Sequence, residues 1–144
     1  MNAYEFIASE EGFSQTPYMC SEGYPTVGYG KRIGPRGAPL ELYQFTLPEP
    51  VAREWLAENV RLIVDQLAPR SFYCQCNSAR AIVLLSMAYQ MGVSGLLKFR
   101  KMLAAIEDND WEEAARQALD SRWAKQTPAR AKRHAEILRT GMMP

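Results

Sequence analysis

The 144-residue sequence predicts an α+β fold that is mostly α-helical. Residues 13–33 are rich in glycine and aromatic side chains, which is typical of a small antiparallel sheet, here with turns at Glu22–Gly23 and Gly28–Gly30. Most of the remaining chain carries apolar residues at helical spacing, separated by short breaks. A chain of this length suits one globular domain, or two small lobes that share a core.

The first element is a short helix that ends at Gly12, with Asn2 as its N-cap and Glu5 at the capping-box position. Its last turn carries two acids, Glu10 and Glu11. Carboxylates are favoured at a helix N-terminus, so this placement is mildly unfavourable. An acid in such a position is a candidate for chemistry, although a solvated surface pair is the commoner explanation.

A long helix is predicted after the sheet and a loop over residues 34–39, which is rich in glycine and proline. Thr46 is expected to cap this helix, and Glu49 to complete a capping box. The helix runs to about Leu67 because Pro69 disfavours its continuation. The residues at helical spacing that predict its buried stripe are Leu56, Val60, Ile63 and Leu67.

The C-terminal part begins with an apolar helix over residues 78–91, for which Asn77 is the expected N-cap. Because this segment is apolar nearly all round, it is predicted to be the central helix of its part of the fold. Gly92 and Gly95 then break the chain.

Three shorter helices are predicted to follow. Two cover residues 95–106 and 111–119, and the last opens with Thr127 as N-cap and Pro128 at its first position. Trp123, which lies between them, is predicted to pack in the core.

The net charge of +1 argues against a general binder of polyanions, but its distribution is uneven. Residues 1–30 hold four acids and no Lys or Arg, whereas residues 122–139 hold six bases and one acid. The basic last helix is either a solvated face or a surface for an anionic polymer of a bacterial envelope. We expect no nucleic-acid partner, since no aromatic or base-reading motif accompanies the charge.

The three cysteines form an odd set with no disulfide framework. Cys74 and Cys76 have no further Cys or His cluster to complete a zinc site, so we expect reduced thiols, no metal and no cofactor. No signal peptide is visible, and the most apolar run, residues 79–91, is short for a membrane span. We therefore expect a chain that is made in the cytoplasm without stable membrane insertion, and we also expect a monomer.

The spacing of three residues resembles a known family. Eight residues separate Glu11 from Cys20, and five separate Cys20 from Thr26. This pattern is similar to the catalytic triad of the phage-type lysozymes (glycoside hydrolase family 24), whose middle position is Asp or Cys. Thr26 opens the T-x-G-x-G hairpin of that family, which reads TVGYG here. The likeness to the T-even phage members extends to LLSMAYQMG at 84–92 and SRWAKQTPARAKR at 121–133, and it fades only in the middle of the chain.

The resemblance implies a lysozyme-like fold of two lobes. Residues 13–45 would form the β-containing N-terminal lobe, 46–68 the linking helix and 69–144 the helical C-terminal lobe, on which the first helix is expected to pack. In the family, hinge motion about the linking helix opens a cleft. Relatives place an extra short helix near the loop after the sheet, and this chain has fewer residues there, so we expect a shortened cleft rim.

The resemblance also implies a muramidase, an endolysin that hydrolyses the β-1,4 bond between N-acetylmuramic acid and N-acetylglucosamine in peptidoglycan and lyses the bacterial host. Glu11 would be the general acid that protonates the leaving oxygen. Arg130 and Gln126 would support it. A cation beside Glu11 favours the carboxylate, so we assign Arg130 to orientation and cleft closure. A holin would give the cytoplasmic enzyme access to the wall in the periplasm.

Cys20 stands where most relatives have Asp. A thiol is mostly neutral at pH 7, and we expect the neighbouring Glu22 to raise the pKa of Cys20 further. Its open roles are a thiolate base, a weak acceptor that places water, and a covalent nucleophile. We favour water placement, shared with the Thr26 hydroxyl, and inversion of the anomeric centre. The alternatives are a Cys that merely fills a turn, and a catalytically weak peptidoglycan-binding protein of the same fold.

For sugar binding, the resemblance places Tyr89 and Gln90 where relatives line the cleft with an aromatic residue and an amide. Ile33 roughly matches a cleft leucine. Met102 aligns with a Ser and Gln117 with an Asn, so these two contacts are weaker transfers from the family.

Overall fold

The computed structural model describes all residues from Met1 to Pro144 and confirms the predicted α+β, mostly α fold. The helices are α1 (Ala3–Glu11), α2 (Glu49–Leu67), α3 (Ser71–Cys74), α4 (Ser78–Leu97), α5 (Arg100–Glu107), α6 (Trp111–Leu119), α7 (Arg122–Gln126) and α8 (Pro128–Thr140). The strands β1 (Ser14–Met19), β2 (Pro25–Gly28) and β3 (Lys31–Arg32) form one antiparallel sheet in that order. A single 3-10 turn, Leu40–Leu42, lies in the loop where relatives were expected to have a short helix.

The chain divides into two compact units. The sheet unit comprises Tyr4–Arg61, and the helical unit comprises Met1–Ala3 with Leu62–Pro144. The division therefore falls inside α2 and assigns most of α1 to the sheet unit. The lobe boundaries of the sequence analysis, with the first helix on the C-terminal lobe, stay a prediction.

Thr26 lies at the centre of the sheet. Its Cα is in register with Tyr18 on β1 and with Arg32 on β3. The whole run 25–29 is buried, and Thr26 is only 2% exposed. The predicted sheet and both of its turns are confirmed, so Thr26 is held between two neighbouring strands.

The hairpin packs closely on the segment that leads into α2. Gly28 has a φ of +67°, and a Cβ at this position would lie 3.1 Å from Leu47 and 3.2 Å from Ala52. Both the left-handed backbone and the close approach therefore favour glycine here. The hydroxyl of Tyr29 donates a 2.7 Å hydrogen bond to Glu49, which ties the end of the hairpin to the start of α2.

The predicted capping box of α2 is wrong. The helix begins at Glu49, and the carbonyl of Pro48 accepts its first hydrogen bonds, whereas Thr46 lies outside it. The physical reason is that the Glu49 carboxylate binds Tyr29 and Arg53 instead of turning back to the chain before the helix.

The central helix of the helical unit is α4, as predicted. Asn77 caps it by accepting a 3.0 Å hydrogen bond from the backbone N–H of Arg80, and every residue from Ile82 to Ala88 is buried. Gly92, with φ 83° and ψ 158°, bends the helix at the predicted break. By length and composition α4 could also span a membrane, but the buried core helix of a soluble protein passes the same test.

The helix predicted over residues 95–106 is wrong. Helical hydrogen bonding resumes after the bend, so α4 continues through Gly95 to Leu97, and the N–H groups of Lys98 and Phe99 bond back to the carbonyls of Gly95 and Leu96. A separate helix, α5, then starts at Arg100.

The later helices agree better with the bounds predicted from the sequence. α6 covers 111–119 as predicted, α8 begins with Pro128 after Thr127, and Trp123 is 6% exposed in the core. The Thr127 hydroxyl, however, makes no capping bond to α8 and donates to the carbonyl of Trp123 at 3.0 Å. The five-residue α7, capped by Ser121, was not predicted because so short a helix shows no clear periodicity.

Candidate active site

Glu11 is the last residue of α1. Gly12, with φ +71°, ends the helix, and its N–H bonds to the carbonyl of Ala8 at 2.9 Å. The half-buried Glu11 side chain reaches the turn between β2 and β3, where a Cβ on Gly30 would lie 2.6 Å from its Oε2 atom. The missing side chain at Gly30 therefore provides the space that the carboxyl group occupies.

Cys20 and Thr26 meet at Tyr24. The backbone N–H of Tyr24 donates to the Cys20 sulfur at 3.4 Å, and its carbonyl accepts from the Cys20 N–H at 2.9 Å. The same carbonyl accepts a 2.9 Å hydrogen bond from the Thr26 hydroxyl. The thiol, at the start of the β1–β2 turn, and the hydroxyl, on β2, therefore bond to the same residue, Tyr24, in the sheet unit.

The surroundings of Cys20 lower the pKa of its thiol. Burial is the largest single effect and raises the pKa, but the backbone N–H groups of Tyr24 and Glu22, the Thr26 hydroxyl and the positive charge of Arg32 outweigh it. The expectation that Glu22 raises this pKa is wrong. The Glu22 carboxylate pairs with Arg32, and its backbone N–H favours the thiolate.

Tyr18 is a site residue that the sequence analysis missed. Its phenol lies near Glu11 and Cys20, and burial followed by the charges of these two groups raises the pKa of Tyr18. The tyrosine therefore keeps its proton and stays a hydrogen-bond donor beside the acid and the thiol. The available signal was its position two residues before Cys20, near the end of β1 and across from Thr26.

Arg32 is a second missed residue. Its guanidinium pairs with Glu22 and lies 3.9 Å from the centroid of the Tyr24 ring, while that of Arg36 lies 5.1 Å from the same centroid. Ile33, the predicted substrate contact in this unit, follows directly and is half-buried, with its N–H bonded to the carbonyl of Pro25 at 2.9 Å.

The other predicted sugar contacts belong to the helical unit. Tyr89 and Gln90 are half-buried on α4, and Gln90 Oε1 accepts a 2.8 Å hydrogen bond from the Trp123 indole. Gln117 is half-buried on α6 and donates to Glu113 at 3.2 Å. Met102 is only 1% exposed, so its side chain packs in the core and offers a ligand almost no surface.

Arg130 is buried near the start of α8, with 8% exposure. Its Nη2 atom donates to the carbonyl of Ser86 at 3.3 Å and to the Ser86 hydroxyl at 3.0 Å, and that hydroxyl lies 2.8 Å from His134 Nε2. Gln126 is exposed at the end of α7. The pairing of Arg130 with Glu11 that the resemblance implies stays a prediction.

The site contains no candidate metal centre, since no three His, Cys, Asp or Glu side chains are grouped to hold an ion. All three cysteines are free thiols. The Cys76 thiol differs from Cys20, because burial raises its pKa to about 11.

A carboxylic acid against one turn of a sheet whose other turn and central strand carry a thiol and a hydroxyl provides an acid for a leaving oxygen and acceptors for a water molecule. These are the parts that a glycoside hydrolase uses. Comparison with known proteins agrees. The phage lysozyme family matches residues 8–138, nearly the whole chain. The chain therefore belongs to the phage lysozyme family of glycoside hydrolases.

Individual relatives show the same likeness. A probable T4-type lysozyme 2 of Dictyostelium discoideum is 38% identical, over 96% of this chain and 94% of its own. The pre-baseplate central spike protein Gp5 of Enterobacteria phage T4 is 32% identical over 98% of this chain, and the peptidoglycan hydrolase gp36 of Pseudomonas phage phiKMV is 30% identical over 87%. The chain spans only 28% and 14% of these two larger phage proteins.

Proposed function

We propose that the chain is a muramidase that hydrolyses the β-1,4 bond between N-acetylmuramic acid and N-acetylglucosamine in peptidoglycan. The observation that carries this proposal is the contact of the Glu11 carboxyl with Gly30, in the same three-stranded sheet that holds Cys20 and Thr26. The name of the phiKMV relative, a peptidoglycan hydrolase, supports the choice of polymer.

Glu11 is the general acid of the proposed reaction. It transfers its proton to the glycosidic oxygen as the bond between this oxygen and the anomeric carbon breaks. A water molecule attacks the anomeric carbon from the opposite face, so the product has the inverted configuration. The proton that the water loses passes to the acceptor beside it or to solvent, and Glu11 is reprotonated from solvent before the next turnover.

Cys20 and Thr26 place the attacking water. The Thr26 hydroxyl has one proton and two acceptors within reach, the Tyr24 carbonyl and the Cys20 sulfur. While this proton bonds to Tyr24, the lone pairs of the Thr26 oxygen remain available to a hydrogen of the water. The sulfur, whose pKa is lowered by its hydrogen bonds and by Arg32 despite burial, accepts the other hydrogen.

The remaining substrate contacts rest on the family resemblance. Ile33, Tyr89, Gln90 and Gln117 contact the sugars in this proposal, and Met102 contributes through packing because it is buried. Arg130 and Gln126 orient the acid.

As an endolysin, the protein acts on the wall of a bacterial host. A holin that opens the inner membrane would let a cytoplasmic enzyme of this kind reach the wall from inside.

Clearing of a suspension of permeabilised Gram-negative cells tests the proposal. Glu11→Gln should reduce the clearing rate by about 100-fold or more, the range for loss of a general acid. Glu10→Gln is the matched control, because it removes the same charge one residue earlier on α1, and it should keep most of the rate. Equal losses in the two variants would contradict the assignment of Glu11.

The same assay separates the enzyme from the alternative, a catalytically weak peptidoglycan-binding protein. That protein would sediment with cell walls and leave the turbidity unchanged. The anomeric configuration of the product, read by NMR, then separates water placement from a covalent mechanism, since a nucleophilic Cys20 would retain the configuration and leave a glycosyl adduct visible by mass spectrometry.

Substitutions at Cys20 test its role directly. Cys20→Asp should retain or raise the activity, because a carboxylate accepts a hydrogen bond from water at least as well as the thiol does. Cys20→Ala should lower it. Activity of Cys20→Asp below that of Cys20→Ala would show that the two acceptors are not interchangeable.

A further inference from the structure

Arg32 contacts the Cys20 turn from a neighbouring strand. It forms an ion pair with Glu22, inside the turn, and its guanidinium carbon lies 3.9 Å from the centroid of the Tyr24 ring, at the end of the turn. Its Cα is in register with Thr26. Arg32 therefore contacts two residues of the turn that follows Cys20, and beyond its effect on the thiol pKa it has no role in the proposed reaction so far.

Tyr24 connects Arg32 to the sulfur. Its backbone makes two hydrogen bonds to Cys20, one from its N–H to the sulfur at 3.4 Å and one from the Cys20 N–H to its carbonyl at 2.9 Å. Gly23 adds a 3.0 Å bond to the Cys20 carbonyl. A shift of the Tyr24 ring would therefore move the donor that points at the sulfur, and the Arg32 guanidinium packs against this ring.

We propose that Arg32 is a positioning residue for the hydrolysis. By pairing with Glu22 and stacking on Tyr24, Arg32 fixes the turn and supports the Cys20 sulfur as the acceptor for the attacking water. This inference rests on the proposed function. A charged acceptor makes a stronger hydrogen bond than a neutral one, so the thiolate is the more effective form.

Several charged or titratable groups face this sulfur. Tyr18 lies near it at the end of β1, Glu22 follows it in the turn, and Glu11 lies near Tyr18. Arg36 lies further along the chain, 5.1 Å from the centroid of the Tyr24 ring, and does not contribute to the pKa shift of Cys20. Tyr18, Glu22 and Glu11 carry no positive charge. Burial raises the pKa of Cys20, backbone and hydroxyl donors lower it, and Arg32 is the cation that adds to this lowering.

The ion pair itself contributes little to stability. The Arg32 and Glu22 side chains are 43% and 47% exposed, and exposed pairs of this kind stabilise a fold only weakly. Removing Arg32 should therefore leave the protein folded, so that effects on Cys20 are measured in a native hairpin.

The test measures alkylation of Cys20 by iodoacetamide as a function of pH, with peptide mass spectrometry to separate the three thiols. In Arg32→Gln, the pH midpoint of the reaction should move upward and the rate at pH 7 should fall, because the thiolate loses a cation. Arg32→Lys keeps the charge and should restore part of the rate. Arg61→Gln, an exposed Arg of α2 paired with Glu58, is the matched control and should follow the unmodified protein.

The clearing assay gives the second readout. Arg32→Gln should lose about two- to fivefold in rate, the size expected for an exposed charge interaction. The loss should be smaller in a Cys20→Asp background, because a carboxylate is ionised at pH 7 without a neighbouring cation.

Two results would overturn the role of Arg32. One is an alkylation profile that Arg32→Gln leaves unchanged, and the other is an equal loss of clearing in the Cys20 and Cys20→Asp backgrounds. If the unmodified protein clears no cells, the proposed function fails. The alkylation profile still decides whether Arg32 controls the thiol.

Discussion

Gly30 gives the sharpest test of how the hairpin places the acid. A Cβ at this position would lie 2.6 Å from Glu11 Oε2 and 3.1 Å from the carboxyl carbon, whereas ordinary contacts start near 3.4 Å. In Gly30→Ala the carboxyl must therefore move by roughly 1 Å. A displacement of about 1 Å can cost on the order of 100-fold in rate, and we expect a loss of this size in the clearing assay.

Gly30→Ala also has a backbone cost that must be separated from this effect. Gly30 has a φ of +69°, and an L-residue in this region costs about 1–2 kcal/mol. For a chain of this size, that corresponds to a fall in Tm of roughly 3–6 °C.

Gly37→Ala is the matched control. Gly37 has a φ of +81°, but a Cβ there would meet nothing within 4 Å. It should lose a similar amount of stability, measured by thermal unfolding, and keep its activity. If Gly30→Ala clears cells as fast as Gly37→Ala, the carboxyl does not depend on the space at Gly30, and the assigned position of the acid is wrong.

Three further predictions concern stability and reactivity in the helical unit. Arg80→Ala should lower the free energy of unfolding by about 2–3 kcal/mol. The guanidinium carbon of Arg80 lies 3.9 Å from the centroid of the Trp111 ring, and its nitrogens donate to the carbonyls of Leu138 and Arg139 at the end of α8. Arg116→Ala, at an exposed ion pair, is the control and should cost under about 1 kcal/mol. Ser86→Ala should cost about 1–3 kcal/mol of stability, since it removes a fully buried hydroxyl that bonds Arg130 and His134. Ser94→Ala, at an exposed serine, should stay within about 0.5 kcal/mol of the unmodified protein. Denaturant titration measures both free energies of unfolding. Burial raises the pKa of Cys76 to about 11, so only about one molecule in a thousand carries the thiolate at pH 8. Iodoacetamide should therefore label Cys76 far more slowly than Cys20, and about 100-fold faster at pH 10 than at pH 8. Rapid labelling of Cys76 at pH 8 would contradict its burial.

The parts of the site that the sequence predicted are set by local chemistry. Gly12 ends α1 directly after Glu11, and glycines at the hairpin turns permit positive φ, so both signals lie within a few residues of the feature they determine. The position of Glu11 relative to the hairpin was expected only from the family spacing, because no local signal shows that the end of a helix will meet Gly30.

The parts that sequence reasoning missed depend on partners far along the chain. Glu49 does not form the predicted capping box because Tyr29, twenty residues earlier, donates a hydrogen bond to its carboxylate. The thiol pKa of Cys20 was predicted in the wrong direction because the negative charge of Glu22 is paired by Arg32, ten residues later. Tertiary contacts of this kind override local propensity, and only the folded sheet reveals them.

The Cys20 turn suggests how a thiol can stand where the family resemblance implies a carboxylate in most members. The N–H groups of Tyr24 and Glu22 that favour the thiolate belong to the backbone of the turn, so they would serve a carboxylate equally well. A neutral hydroxyl would occupy the same turn without offering a negative charge to the water. Cys20→Ser should therefore fall below both the unmodified protein and Cys20→Asp in the clearing assay, with unchanged thermal unfolding. Equal rates for the Ser and Cys forms would mean that the negative charge favoured by this turn plays no part in the reaction.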